Sequence, residues 1–157
     1  MINRLTIPKV VSPLGSVTQW TCDTCNDPIT NPEMAVVIGK RDSNDQVLGW
    51  KIVHKQCDPS SGQVDSFSVE LTRYLGDDGL STLLSLLSPG PLKGGNAVVP
   101  ADLNEFVDLA RRLHIPHYEE ARTRFDEDSV RDELFEAAEG FPYMTDTLSR
   151  IAQGKIG

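Results

Sequence analysis

Three cysteines and one histidine constrain this chain more than any other feature of its sequence. They form the spacing C-x2-C-x28-H-x2-C, and every cysteine of the chain belongs to it. Sulfur and nitrogen ligands arranged as two close pairs are what a tetrahedral zinc site requires. The motif therefore predicts a single structural Zn²⁺ ion, held by Cys22, Cys25, His54 and Cys57.

A redox-active dithiol is the second interpretation of Cys22 and Cys25. Thioredoxin-type chemistry places C-x2-C at the start of a helix inside a βαβ unit. The residues that follow Cys25 show no helical spacing of apolar side chains. Free thiols beside an unrelated histidine are a third interpretation, but they would not require the paired spacing. Zinc binding is therefore the favoured prediction.

Charge is distributed unevenly along the 157 residues, whose formal net charge is -8. Residues 1–58 hold six basic and six acidic groups, whereas residues 59–157 hold nine basic and seventeen acidic groups. An acidic protein gains little from counterion release on a phosphate backbone, so nucleic acid is disfavoured and another protein is the expected partner. The alternative is a nucleic-acid-associated or transcription-related regulator that uses the basic residues Lys40, Arg41, Lys51 and Lys55.

The N-terminal residues 1–8 contain no apolar core of the kind found in signal peptides. No window approaches the roughly 18 consecutive apolar residues of a membrane span. The sequence therefore predicts a cytoplasmic protein without membrane contact. In such a reducing compartment, C-x2-C favours metal binding over a disulfide.

The zinc ligands are predicted to lie on a β-hairpin. Residues 1–19, which include the Val10-Val11 pair, are expected to be extended, and Asn26 is expected to adopt the left-handed conformation that ends the cysteine turn. Two β-rich runs, at 34–40 and 47–53, flank a polar turn. The second run would bring His54 and Cys57 beside the first cysteine pair.

Helical patterns dominate after a predicted turn or linker at 58–66. We expect a short helix from Ser68 to Gly76 and then one that begins at Asp77. Asp102 opens the clearest helix, with Arg112 on its outer face. The remaining helical segments begin near Pro116 and contain Tyr118, Ala121 and Phe125, then Val130, Leu134, Phe135 and Ala138, and finally Tyr143, Met144, Leu148 and Ile151.

These patterns predict an α+β fold in which an N-terminal zinc-stapled β-hairpin precedes a bundle of about five short helices. The predicted boundaries are a zinc-binding module over 1–58 and a helical domain over 67–157, and the two can pack as one domain.

Over residues 20–58, the ligand spacing resembles the first zinc site of a LIM-type, treble-clef zinc finger. It is also similar to a zinc ribbon, in which two knuckles sit on a hairpin. The whole chain resembles small, uncharacterised bacterial proteins that join a W-T-C-x2-C knuckle to a helical tail. This resemblance implies a bacterial or phage setting and a structural zinc, without a particular activity.

Two further sets of residues are candidate sites. His114 and His117, followed by Glu119 and Glu120, could form a second metal site or an acid–base pair, but Pro116 interrupts the helical register between them. Exposed or capping histidines are therefore favoured. The glycine-rich segment 90–95 lacks the order of a phosphate-binding loop and is predicted to be a plain loop. With a closed zinc site and no nucleophile–base pair, we expect a non-enzymatic binding or adaptor protein.

Overall fold

The computed structural model describes residues 19–60, 62–88, 90–92, 99–136 and 142–156. The predicted extended segment before residue 19, the loop positions 93–96 and the predicted helical residue Ala138 lie outside the described residues. None of the helices in the described ranges is long and apolar enough to cross a membrane.

The predicted α+β class is confirmed. The strands are β1 (Trp20–Thr21), β2 (Pro28–Ile29), β3 (Ala35–Arg41), β4 (Gln46–His54), β5 (Ser66–Glu70) and β6 (Val99–Pro100). The helices are α1 (Gly76–Leu87), α2 (Leu103–His114), α3 (Tyr118–Arg122), α4 (Asp128–Glu136) and α5 (Thr145–Ala152). Short 3-10 turns occupy Pro32–Met34, Lys55–Cys57 and Leu71–Tyr74.

Two antiparallel strand pairs build the N-terminal part. Strands β1 and β2 pair with Trp20 opposite Ile29, and the chain reverses between them through the first cysteine pair. Strands β3 and β4 form the predicted hairpin, with Ala35 opposite His54. The Asp42 carboxylate closes the hairpin turn because it accepts hydrogen bonds from the backbone N–H groups of Asn44 and Gln46. The hairpin prediction is thereby confirmed.

The prediction of a helix between Ser68 and Gly76 was wrong. Ser66–Glu70 is strand β5, which pairs antiparallel with β3 so that Val69 lies opposite Val37. Only a 3-10 turn, Leu71–Tyr74, follows it. Gly76 begins α1 instead of ending a helix, and its φ of 68° is the left-handed conformation that glycine adopts readily. The four-stranded sheet has the order β5-β3-β4-β6, with β6 parallel to β4.

The helices contribute to two apolar cores. Helices α1 and α2 pack on the sheet, and the first core contains Trp20, Val37, Ile52, Leu83 and Phe106 among others. Helices α3, α4 and α5 supply the second core, which contains Tyr118, Ala121, Val130, Leu148, Ile151 and Ile156. The division into units at 1–58 and 67–157 stays a prediction, although the first core takes side chains from both sides of that boundary.

Candidate metal centre

The structure brings the four predicted ligands together. One ligand atom from each of Cys22, Cys25, His54 and Cys57 lies within 4.8 Å of all the others. Cys25 Sγ and His54 Nδ1 lie 3.4 Å apart. With zinc bonds of about 2.3 Å to sulfur and about 2.05 Å to nitrogen, the S···N edge of a tetrahedron is about 3.6 Å. The cluster therefore has the dimensions of a four-coordinate metal site.

The first cysteine pair lies on a tight turn that backbone hydrogen bonds define. The N–H of Cys22 donates to the Asp27 carbonyl, and the N–H of Asn26 donates to the Cys22 carbonyl, both at 2.9 Å. Asn26 has a φ of 62°, as predicted for the residue that ends this turn. We call residues 22–27 the knuckle. Its backbone geometry turns Cys22 and Cys25 toward the same point.

The second ligand pair comes from the end of the β3–β4 hairpin. His54 is the last residue of β4, and Cys57 ends the 3-10 turn that follows. The N–H of His54 lies 3.4 Å from Cys22 Sγ, so the two ligand pairs are also joined directly. Described residues 58–60 and 62–65 contain turns and no helix. The long helix that a treble clef places after its last ligands is therefore not found in this described part.

Cys22 and Cys57, the two cysteines that are not exposed, differ in the pKa of their thiols. Burial opposes ionisation of Cys22, but hydrogen bonds from the backbone of Cys25, His54 and Thr24 outweigh it and lower the pKa of Cys22 to about 6. Burial and the neighbouring Cys25 and Cys22 sulfurs raise the pKa of Cys57 to about 11. Without a cation, the cluster thus favours one thiolate and opposes the next. A metal ion held by these residues would supply the positive charge that stabilises all three thiolates.

The donor set fits a structural metal ion. Cys22 is buried, His54 and Cys57 are partly buried, and Cys25 is exposed. Three sulfurs and one imidazole nitrogen complete a tetrahedron without a water ligand, which is the pattern of structural zinc sites. Soft sulfur ligands also select against magnesium and calcium, which prefer oxygen.

A buried arginine supports the knuckle from helix α2. The side chain of Arg112 is only 3% exposed, and its Nη1 donates to Asp23 Oδ2 at 2.7 Å. Its Nη2 donates to the Thr21 carbonyl at 3.1 Å and to Glu119 Oε1 at 3.0 Å. Its Nε donates to Glu119 Oε2 at 2.8 Å. The prediction that Arg112 lies on the outer face of its helix was wrong, because these buried acceptors bind it.

Helix α3 completes this group of charges. Glu119, also 3% exposed, accepts a hydrogen bond from the N–H of Thr21 at 2.8 Å. Arg122 lies 3.6 Å from Asp23 Oδ1 and 3.7 Å from Glu119 Oε2. We call Asp23, Arg112, Glu119 and Arg122 the clamp. Its two positive and two negative charges balance, and they connect the knuckle to α2 and α3.

Sequence reasoning did not identify the clamp. Asp23 is 89 positions away from Arg112 in the chain, whereas Arg112, Glu119 and Arg122 belong to the neighbouring helices α2 and α3. Their one sequence signal is the seven-residue spacing of Arg112 and Glu119, which span the break at Pro116. That spacing indicates an ion pair only if the turn between α2 and α3 brings the two side chains together.

The alternative site at His114 and His117 does not form. Glu119 is bound by Arg112, and His117 is exposed at the start of α3 with a left-handed φ of 67°. His114 is partly buried at the end of α2. Among the described residues, the only cluster of three or more histidine, cysteine or acidic groups with metal-binding geometry is the Cys3His cluster.

Comparison with protein-family models, curated proteins and solved structures finds no match to this chain.

Proposed function

We propose that this chain is a non-enzymatic protein-binding adaptor whose N-terminal part is stapled by one structural zinc ion. The observation that carries the proposal is the closed Cys3His cluster, with its ligand atoms within 4.8 Å of one another. A catalytic zinc keeps one coordination position for water or substrate. Four protein ligands leave no such position, which supports a structural role. Three free thiols are also compatible with a cytoplasmic location.

Metal analysis tests the zinc assignment. Protein purified without added metal should contain about one zinc per chain, as one four-ligand site requires. Cys25→Ser should lower that content sharply, because it removes one of four ligands. Ser81→Ala, an exposed change on α1, serves as the matched control and should leave the content unchanged. A metal-free protein with a Cys22–Cys25 disulfide in its intact mass would contradict the assignment.

The charges of the zinc module favour a protein partner over nucleic acid. Of the four basic residues considered for nucleic-acid binding, Arg41 pairs with Asp45 at 2.8 Å and Lys55 pairs with Glu70 at 3.2 Å. Lys40 and Lys51 remain as exposed charges without an ion pair among the described residues. Two lysines give a small electrostatic contribution on a chain of net charge -8.

Helix α1 offers the surface that best fits a protein partner. Leu80, Leu84 and Leu87 follow one another at spacings of four and three residues, so they share one stripe of the helix. They are 42%, 58% and 38% exposed, whereas Leu83, which borders this stripe on the side facing the sheet, is buried in the first core. Residues 79–92 contain no Asp, Glu, Lys or Arg. Such an apolar, uncharged stripe matches a partner with an apolar and uncharged groove.

Affinity capture from the native host, quantified by mass spectrometry, tests this surface. Leu84→Glu should lose the proteins that the wild type retains, because it places a charge where an apolar partner surface would lie. Val64→Glu, at a position 97% exposed and outside α1, is the matched control and should retain them. A captured protein should then bind the purified wild type and Val64→Glu directly, and it should not bind Leu84→Glu.

If Leu84→Glu captures the same proteins as the wild type, the binding surface does not lie on this stripe of α1. If the purified, zinc-containing chain binds none of the captured proteins directly, the adaptor role is contradicted. The zinc assignment is unaffected by that result.

A further inference from the structure

We propose that Arg112 is a positioning residue of the metal centre, which holds the knuckle in its metal-binding shape from helix α2. This inference rests on the zinc site of the proposed function. Arg112 contacts the residues on both sides of Cys22: it donates to the carbonyl of Thr21 and to the carboxylate of Asp23. The buried ligand thus lies between two points that one side chain fixes.

The hydrogen bonds of Asp23 extend this support to the second ligand pair. Its Oδ2 accepts a hydrogen bond from the N–H of Ile52 at 2.7 Å, and its own N–H donates to the Ile52 carbonyl at 2.9 Å. Ile52 lies two residues before His54 on β4. Asp23 therefore sets the distance between the knuckle and the strand that carries the third ligand, and Arg112 sets the orientation of Asp23.

The ion pairs of the clamp can hold the knuckle in place because Arg112 and Glu119 are shielded from water. Burial opposes the charged form of Arg112, but Glu119 and Asp23 raise its pKa above the usual value, so the guanidinium stays charged. Charge-assisted hydrogen bonds are roughly twice as strong as neutral ones. The planar guanidinium reaches four acceptors at once, which the single ammonium group of lysine cannot do. The fork geometry, and not charge alone, is what positions the knuckle.

Some residues do not bind the metal but orient the residues that do. Mutation of such a residue typically weakens metal affinity by about 10–100-fold. We expect Arg112→Lys to weaken zinc binding by about tenfold or more, measured by competition with a chromophoric chelator. At saturating Co²⁺, the absorption spectrum of this variant should also differ from that of the wild type, because the thiolates relax. Arg131→Met, which removes an exposed arginine paired with Asp126, is the matched control and should change neither measurement.

A purely structural role for Arg112 gives a different result. In that case Arg112→Lys lowers the melting temperature but leaves the saturated Co²⁺ spectrum and the zinc affinity of the folded variant within twofold of the wild type. This result would overturn the proposal. If Arg112→Lys fails to fold, Asp23→Asn provides the same comparison, because asparagine keeps an oxygen acceptor for the Ile52 N–H.

A double-mutant cycle distinguishes action through Asp23 from an independent effect. If Arg112 acts through Asp23, the double variant Arg112→Lys, Asp23→Asn should lose no more zinc affinity than the more affected single variant. Additive losses would overturn the proposed route. Failure of the wild type to bind either Zn²⁺ or Co²⁺ would instead contradict the proposed function itself.

Discussion

His114 is a partly buried titratable side chain at the C-terminal end of α2. Burial lowers its pKa, and the opposing effects of the Tyr74 backbone and Asp77 are smaller. In the unfolded chain a histidine takes up a proton near pH 6.5, whereas native His114 resists the proton until the pH is lower. The unfolded state therefore binds more protons in this range, and stability falls as the pH falls below about 6.5.

We expect His114→Leu to reduce this pH dependence. The variant lacks the group that takes up a proton on unfolding, so its urea midpoint should change less than that of the wild type between about pH 7.5 and 6. Both proteins should be zinc-loaded, so that the ligand residues do not titrate. His117→Asn is the matched control, because asparagine tolerates the left-handed conformation and position 117 is exposed. Equal pH slopes for wild type and His114→Leu would contradict the prediction.

The ligand residues and Arg112 show what single-residue patterns reveal. The clustering of Cys22, Cys25, His54 and Cys57 could be predicted because a metal site restricts both residue type and local spacing. The conformation of Asn26 could be predicted because the turn requires it. Arg112 could not, because a helical pattern assigns a charged residue to the outer face by default. Only the tertiary structure shows that Glu119 and Asp23 lie where that face is buried.

At the scale of elements, α1 packs unusually closely on the turn before it. A Cβ atom placed on Gly79 would lie 2.1 Å from the carbonyl carbon of Tyr74 and 2.4 Å from its oxygen. These are backbone atoms, so no change of rotamer can relieve the overlap. Glycine at this position lets the first turn of α1 rest directly on the Leu71–Tyr74 turn.

Gly79→Ala should therefore destabilise the protein, even though alanine favours helix by about 1 kcal/mol over glycine. Overpacking typically costs about 1–3 kcal/mol, and displaced backbone places the expected loss at or above the upper end. Chemical denaturation measures it. Ser81→Ala, on the exposed side of the same helix, should change stability little. An increase in stability for Gly79→Ala would show that α1 can move away from Tyr74.

Strand β5 explains why one element was predicted incorrectly. Its sequence, Ser66–Glu70, alternates polar and apolar residues, as a strand does. Leu71, Tyr74 and Leu75, which follow directly, fit a helical spacing and favour a helix there. Pairing with β3 settles the choice, because Phe67 and Val69 then pack beside Trp50 and the first core. When a short segment is compatible with both a strand and a helix, its packing against neighbouring elements decides which one forms.

At the scale of the whole molecule, the net charge of -8 governs encounters with other polyanions. We expect neither duplex nor single-stranded nucleic acid to bind at micromolar protein in about 0.15 M salt. Gel shift and fluorescence anisotropy measure this. Binding under these conditions, with a salt dependence that becomes shallower in Lys51→Ala, would support the regulator alternative. Glu33→Ala, another exposed change in the zinc module, provides the comparison for charge effects alone.

The overall class, the β3–β4 hairpin and the clearest helices could be predicted because each depends on local periodicity and local turn chemistry. The order of strands in the sheet and the two cores could not, because they depend on contacts between distant segments. Leu83 and Trp20, for example, share one core although most of the zinc module separates them in the chain.

The knuckle also occupies the outer edge of β4. The backbone groups of Ile52 bond to Asp23, and the N–H of Gly49 donates to the Glu105 carboxylate at 2.8 Å, so neither position is left open. An open strand edge is a template for pairing with another chain and for cross-β aggregation. Loss of the metal would leave the knuckle held by the clamp alone and would weaken its cover of the edge at Ile52. Under the function proposed above, zinc deprivation would therefore expose an edge that pairs with other chains and attracts chaperones and proteases.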